Sequence, residues 1–141
     1  MPLSRRHWIF DLDGTLTLAA HDFAEFKRCH GLPADRPILE FIETLSPARQ
    51  RPLRQALRDW EMAVAAQTRV APDALPLLRE LVVRNARLAV LTRNTLPVAR
   101  VTLEAAGLRS FFAPELVLGR DEAPAKPAPD GILAILRAWS A

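Results

Sequence analysis

The chain has 141 residues, half of them apolar and a quarter charged, which describes one folded domain with a core rather than a disordered chain. Its formal charge of +3 and pI near 10.0 invite a nucleic-acid reading. Acids and arginines are interleaved, however, no basic block forms, and a solvated mixed surface is expected instead.

Met1 to Phe10 carries Arg5 and Arg6 but no long apolar run. Neither a signal peptide nor a membrane span is expected, and the cytoplasm is the expected location. His7-Trp8-Ile9-Phe10 is a run of bulky residues that stops at acid and glycine, the pattern of a buried strand with carboxylates at its C-terminal end. From Asp22 the pattern turns helical: Asp22 is placed to cap a segment holding Phe23 and Phe26, which Gly31-Leu32-Pro33 ends. Cys29, the single cysteine, allows no intrachain disulfide, fits a reducing compartment and is expected to pack in this helix. His7, His21 and His30 share no metal-ligand spacing with carboxylates or thiols.

A second short helix follows Pro37 with Ile38, Phe41, Ile42 and Leu45, and a third carries the stripe Leu53, Leu57, Trp60 and Val64. Arg49 to Arg58 supplies a local positive face. Another helix begins at Ala71-Pro72-Asp73, with Asp73 as cap, Leu77, Leu78, Leu81 and Val82 facing inward, and Asn85 as a left-handed stop. Leu88 to Leu91 reads as a second strand, Pro97 to Ala106 as a helix closed by Gly107, and Glu115 to Leu118 as a third strand. A polar loop from Gly119 to Pro129 leads to a last helix, Asp130 to Trp139.

Strands alternating with helices predict an α/β fold: a Rossmann-like parallel sheet with flanking helices. The helices between Asp22 and Val70 interrupt that rhythm and read as a small all-helical cap inserted after the first strand. The expected domains are therefore a core of 1–20 and 71–141 and a cap of 21–70.

In open parallel sheets, ligands sit outside the carboxyl ends of the strands. Asp11 and Asp13 follow the first strand, Thr92 the second, and Lys126 lies in the loop after the third. Phosphoryl transfer asks for a nucleophile, a proton donor and positive charge around the transferring group. Asp11 suits the nucleophile, and Asp13 the acid and base, sharing a face with Asp11 if the chain stays extended. Gly14 lets backbone amides approach phosphate oxygens, Thr92 offers a hydroxyl, and Lys126 a point charge. Two carboxylates facing a phosphate also call for a hard cation, and Mg²⁺ suits oxygen ligands of this kind. Read singly, each residue has a plainer role: a turn carboxylate, a strand-end cap, a solvated loop lysine.

Phe10-Asp11-Leu12-Asp13-Gly14-Thr15-Leu16 resembles the first motif of the haloacid dehalogenase (HAD) superfamily. Val90-Leu91-Thr92-Arg93-Asn94 is similar to its second motif and Ala125-Lys126-Pro127-Ala128-Pro129 to its third, in the family's order. The helical insert after motif one matches the small-cap members, which are similar to phosphoglycolate phosphatases. The resemblance implies a Mg²⁺-dependent phosphatase that hydrolyses a small phosphate monoester through an aspartyl-phosphate, with Asp11, Asp13, Thr92 and Lys126 catalytic. It further implies phosphate contacts from Leu12, Gly14, Thr92, Arg93, Asn94 and Lys126, and a metal held by Asp11 and Asp13. The acid at Asp13 sets the phosphatase and phosphomutase branches apart from dehalogenases. Asn94 has two readings, steadying the nucleophile loop or donating to substrate, and Arg93 reads as solvated or as a phosphate ligand.

The family's fourth motif, an acidic pair after Gly-Asp that completes the Mg²⁺ site, has no counterpart before Ala141. The expectation is a C-terminally truncated chain with its last strands missing and weak activity at best, restored by a C-terminal extension. The sheet would then have an uncovered edge, and Ile132, Leu133, Ile135 and Leu136 would lose part of their packing surface. A catalytically impaired phosphate-binding relative is one alternative. A phospho-receiver signalling domain is another, although no phospho-accepting Asp follows Leu91 or Leu118. The expected partner is a small phosphorylated metabolite, with no nucleic acid and no membrane. Arg28, His30 and Arg54 on the insert are candidate specificity residues, and the oligomeric state is not legible in the sequence.

Overall fold

Leu88, Ala89, Val90 and Leu91 are all buried, so the strand they form needs cover on both faces and belongs in the middle of a sheet. In the computed structural model, which describes residues 4–19 and 21–140, that is its place. Strand β1 (His7–Phe10) and β3 (Val117–Leu118) flank β2 (Arg87–Leu91), all parallel, in the order β1-β2-β3. The register pairs Phe10 with Val90 and Leu91 with Leu118, which brings the carboxyl ends of the strands level.

The pleat divides the core in two. Phe10, Leu88, Val90 and Val117 face one side, with Leu78 and Leu81 of α4 (Ala74–Val83) and Ala99 and Leu103 of α5 (Leu96–Ala105). Ala89, Leu91 and Leu118 face the other, with Ile135 of α6 (Asp130–Ser140). Helices thus cover both faces of a parallel sheet, as the alternating pattern predicts. Gly131 lets α6 come down onto β2, since a Cβ there would lie 2.5 Å from Leu91 Cδ1. Ile132, Leu133 and Leu136, on the same helix, are 42–44% exposed, while Ile135 is buried.

Before β2, the chain forms three helices: α1 (Phe23–Cys29), α2 (Ile38–Glu43) and α3 (Pro47–Ala66). Asp22 caps α1 by accepting from the Glu25 N–H at 3.0 Å. Phe26, Ile38, Ile42 and Leu57 form a core of their own, with Leu53 and Trp60 packed against it. Cys29 lies at the end of α1 and is exposed rather than packed. The chain divides into two compact units, His21–Val64 and the remainder, Met1–Ala20 with Ala65–Ala141. Residues 65–70, assigned to the insert from sequence, fall in the sheet-bearing unit. There Leu18 N–H donates to Arg69 O, Ala71 N–H donates to Leu16 O, and Val70 packs on the first core.

Four local expectations need correction. The third strand is two residues long, because a 3-10 turn over Pro114–Leu116 takes Glu115 and Leu116 out of it. Asp73 occupies the N-cap of α4, but its side chain makes no capping hydrogen bond. Val82 is 49% exposed, since Ala74, Leu78 and Leu81 define the buried stripe of α4 and Val82 lies at its flank. Helix α5 starts at Leu96 with Pro97 in its first turn. Asn85 does adopt the left-handed conformation at φ 57°, and Gly107 follows α5 at φ 72°. Among the described residues, no helix is long and apolar enough to cross a membrane.

Candidate functional site

The loop after β1 is wound around one carbonyl. Leu12 O accepts from the N–H groups of Thr15, Leu16 and Thr17, and from the Thr17 hydroxyl at 3.3 Å. Gly14, at φ 77°, supplies the left-handed residue that this turn requires. Leu12 is fully buried between the more accessible Asp11 and Asp13, the alternation of an extended segment. Any contact between Leu12 and a ligand therefore falls to its backbone N–H. Gly14 is exposed at the turn.

Lys126 Nζ lies 2.6 Å from Asp11 Oδ1, forming an ion pair whose side chains are 28% and 47% exposed. The lysine is held in the loop after β3, 115 residues along the chain from its partner. Thr15, which sequence reasoning passed over as a site residue, donates its hydroxyl to Asp11 Oδ2 at 3.3 Å. Its signal was the four-residue spacing from Asp11 across a glycine turn. Both oxygens of Asp11 are therefore oriented by the protein.

Thr92 ends β2 with its side chain buried, and its backbone N–H donates to Leu118 O at 3.0 Å. Its hydroxyl oxygen accepts from the Asn94 N–H at 3.1 Å, which aims the O–H bond away from that amide. Of the two sequence readings of Asn94, the contact made is with the nucleophile loop: its side-chain amide donates to Asp13 Oδ2. Its carbonyl accepts from the Arg120 N–H at 2.9 Å, tying the loop after β2 to the loop after β3. Gly119 permits this approach, because a Cβ there would lie 2.6 Å from Asn94 O and 2.8 Å from Leu96 N. Glu122 closes the same turn by accepting from Gly119 N–H at 2.8 Å. A glycine directly after a buried strand was the available sign of this crowding. Arg93 is exposed.

The strand ends thus bring Asp11 to Lys126 and Asp13 to Asn94, with Thr92 on the same β2 loop as Asn94. Among the described residues, no group of three or more His, Cys, Asp or Glu side chains is placed to hold a metal ion. The Asp11 carboxylate and the Asp13 backbone carbonyl could supply oxygen ligands, which are of the kind a hard cation such as Mg²⁺ takes beside a phosphate.

A family model described as haloacid dehalogenase-like hydrolase matches residues 6–140. The chain is similar to a haloacid dehalogenase-like hydrolase domain-containing protein of Arabidopsis thaliana, with 29% identity over 142 residues. That match covers 93% of this chain and 56% of the relative, so the chain spans a little more than half of that protein's length. Among solved structures, it is similar to a haloacid dehalogenase-like family hydrolase from Streptococcus pneumoniae, at TM-score 0.64 and 20% identity, over 99% of this chain and 70% of that one. It is also similar to a HAD family hydrolase from Deinococcus radiodurans with bound phosphate and sodium, at TM-score 0.63 and 18% identity, over 94% and 67% of the two chains. At these identities the structures speak for the fold.

Proposed function

The chain belongs to the haloacid dehalogenase-like hydrolases, and from that premise we propose that it is a phosphatase acting on a small phosphate monoester through an aspartyl-phosphate at Asp11. The observation that carries the proposal is the pairing of the Asp11 carboxylate with Lys126 at the sheet's carboxyl end, beside a second carboxylate two residues on. The phosphate bound to the Deinococcus relative is a consistent but weaker support, since it concerns that protein.

An Asp11 carboxylate oxygen attacks phosphorus, forming a P–O bond as the bond from phosphorus to the alkoxy oxygen breaks. The departing oxygen takes a proton from Asp13. Water then attacks the phosphoryl group, gives a proton to Asp13, and the P–O bond to Asp11 breaks, restoring both carboxyl groups. Lys126 offsets the charge gathered between carboxylate and phosphoryl oxygens, and Thr92 donates its hydroxyl hydrogen to one of those oxygens. Asp11 and the Asp13 carbonyl would hold Mg²⁺, which supplies further charge neutralisation at the phosphoryl group when bound. The helical unit His21–Val64 is read as the small cap, and the substrate as a small phosphorylated metabolite. Family membership sets aside the receiver-domain alternative.

The test is phosphate release from p-nitrophenyl phosphate with and without Mg²⁺, joined to rapid-quench trapping of a labelled phosphoenzyme. Metal-dependent release and an acid-stable, hydroxylamine-labile label that Asp11→Asn abolishes are expected. Turnover that survives Asp11→Asn would exclude the mechanism.

A further inference from the structure

Asn94 makes a contact that neither hydrolysis nor phosphate binding requires of it. Its side-chain amide reaches across from the end of β2 to Asp13 Oδ2, 81 residues earlier in the chain. The NH₂ of the amide is the donor and the carboxyl oxygen the acceptor. The Asn94 backbone is fixed independently on both sides. Its N–H is tied to Thr92 Oγ1 and its C=O to the Arg120 N–H, with Gly119 pressed against that carbonyl. The entropy of ordering the side chain is therefore largely lost on folding rather than when substrate binds.

We infer that Asn94 is a positioning residue that sets the orientation of the Asp13 carboxyl. The hydrogen bond fixes the direction in which the Asp13 carboxyl faces the phosphoryl site, and its donor comes from a backbone already held by Thr92 and Arg120. Gly119 and Arg120 extend the device to β3: the loop after the third strand holds the residue that aims the acid after the first. This inference rests on the acid–base role given to Asp13 above.

A residue that aims a general acid matters most when the leaving group needs a proton. The full chain is therefore assayed on two esters of similar shape, p-nitrophenyl phosphate, whose leaving group departs readily as the anion, and phenyl phosphate, whose leaving group does not. Asn94→Ala is expected to lower kcat/KM for phenyl phosphate by about 10- to 100-fold, within the range of general acid catalysis. The loss for p-nitrophenyl phosphate should be less than about fivefold, and inhibition by inorganic phosphate should be unchanged. In an Asp13→Asn background, Asn94→Ala should add no further loss on either ester. Asn94→Asp, nearly isosteric, replaces the donor with an acceptor and should show the same selectivity if the alanine variant folds poorly.

Equal losses on the two esters, or a loss confined to phosphate affinity, would overturn the role of Asn94. If Asp13→Asn discriminates between the esters and neither Asn94 variant does, the inference falls and the acid–base role stands. If Asp13→Asn does not discriminate, or the unsubstituted chain hydrolyses neither ester, the proposed mechanism falls and takes the inference with it.

Discussion

The loop after β1 and the loop after β3 both end at Asp11, but they are held there by different means. At the Leu12 carbonyl, four donors converge from no more than five residues away, and Thr15 orients Asp11 from inside the same turn. Gly119 to Pro129 has turns of its own, Gly119–Glu122 and Ala125–Ala128, yet its ties to the site cross the molecule: Arg120 to Asn94, and Lys126 to Asp11. The turn around the Leu12 carbonyl carries its geometry in its own sequence, although Asp13 and Leu16 beside it are also tied to Asn94 and Ala71, while the second loop reaches the site only through contacts that cross the molecule. Chemistry that depends on the second loop should therefore be the more sensitive to changes elsewhere.

Removing the shared target should have the largest effect. Asp11→Asn deletes the nucleophile common to both loops, and turnover should fall by about 10³-fold or more. A circular dichroism melt should remain near that of the unsubstituted chain, because the lost ion pair is partly exposed and such pairs contribute roughly 1 kcal/mol or less. A variant keeping a tenth of the rate would show that the pairing at Asp11 is structural. Lys126→Met comes next and separates the loops, since it empties the β3 loop of charge and leaves the β1 turn intact. The expected loss in kcat/KM is about 10²- to 10³-fold, the scale of one electrostatic stabiliser. A loss below tenfold would mean that the β3 loop serves packing rather than chemistry.

Gly131→Ala probes the same dependence through stability. Its Cβ would sit 2.5 Å from Leu91 Cδ1, immediately before Thr92, so α6 must shift on the sheet at a cost of about 1–3 kcal/mol. Urea denaturation measures the loss, and an unchanged midpoint would show that Leu91 yields freely. Thr15→Ala should have the smallest effect. It removes one exposed 3.3 Å hydrogen bond to Asp11 while the backbone turn persists, so kcat/KM should fall only about two- to fivefold. A loss as large as that of Lys126→Met would reverse the contrast between the loops.

Several elements were legible because their determinants are local. Asp22 caps α1 through an N–H three residues on, Asn85 and Gly107 take left-handed conformations where helices stop, and Gly14 turns the loop behind Asp11. In each case, the residue type answers a backbone demand within one turn, and sequence displays both parties together. The strand at Leu88 was legible for a related reason, since an apolar run that stops at polar residues reports burial on both faces, whereas the strand expected to be buried at His7 forms in place with only Phe10 buried. The third strand was misjudged because the Pro114 turn competes for the same residues, and only pairing with β2 decides where it ends.

The site divides along the same line. Sequence alone placed Asp11, Asp13, Thr92 and Lys126 just beyond strand ends, and motif order joined them to a family. Tertiary structure alone decided that Lys126 meets Asp11 rather than solvent, that Asn94 serves Asp13, and that Gly119 and Gly131 are sites of close approach. The physical reason is separation: contacts spanning 115 and 81 residues depend on how strands align and helices settle, and no local pattern records that outcome.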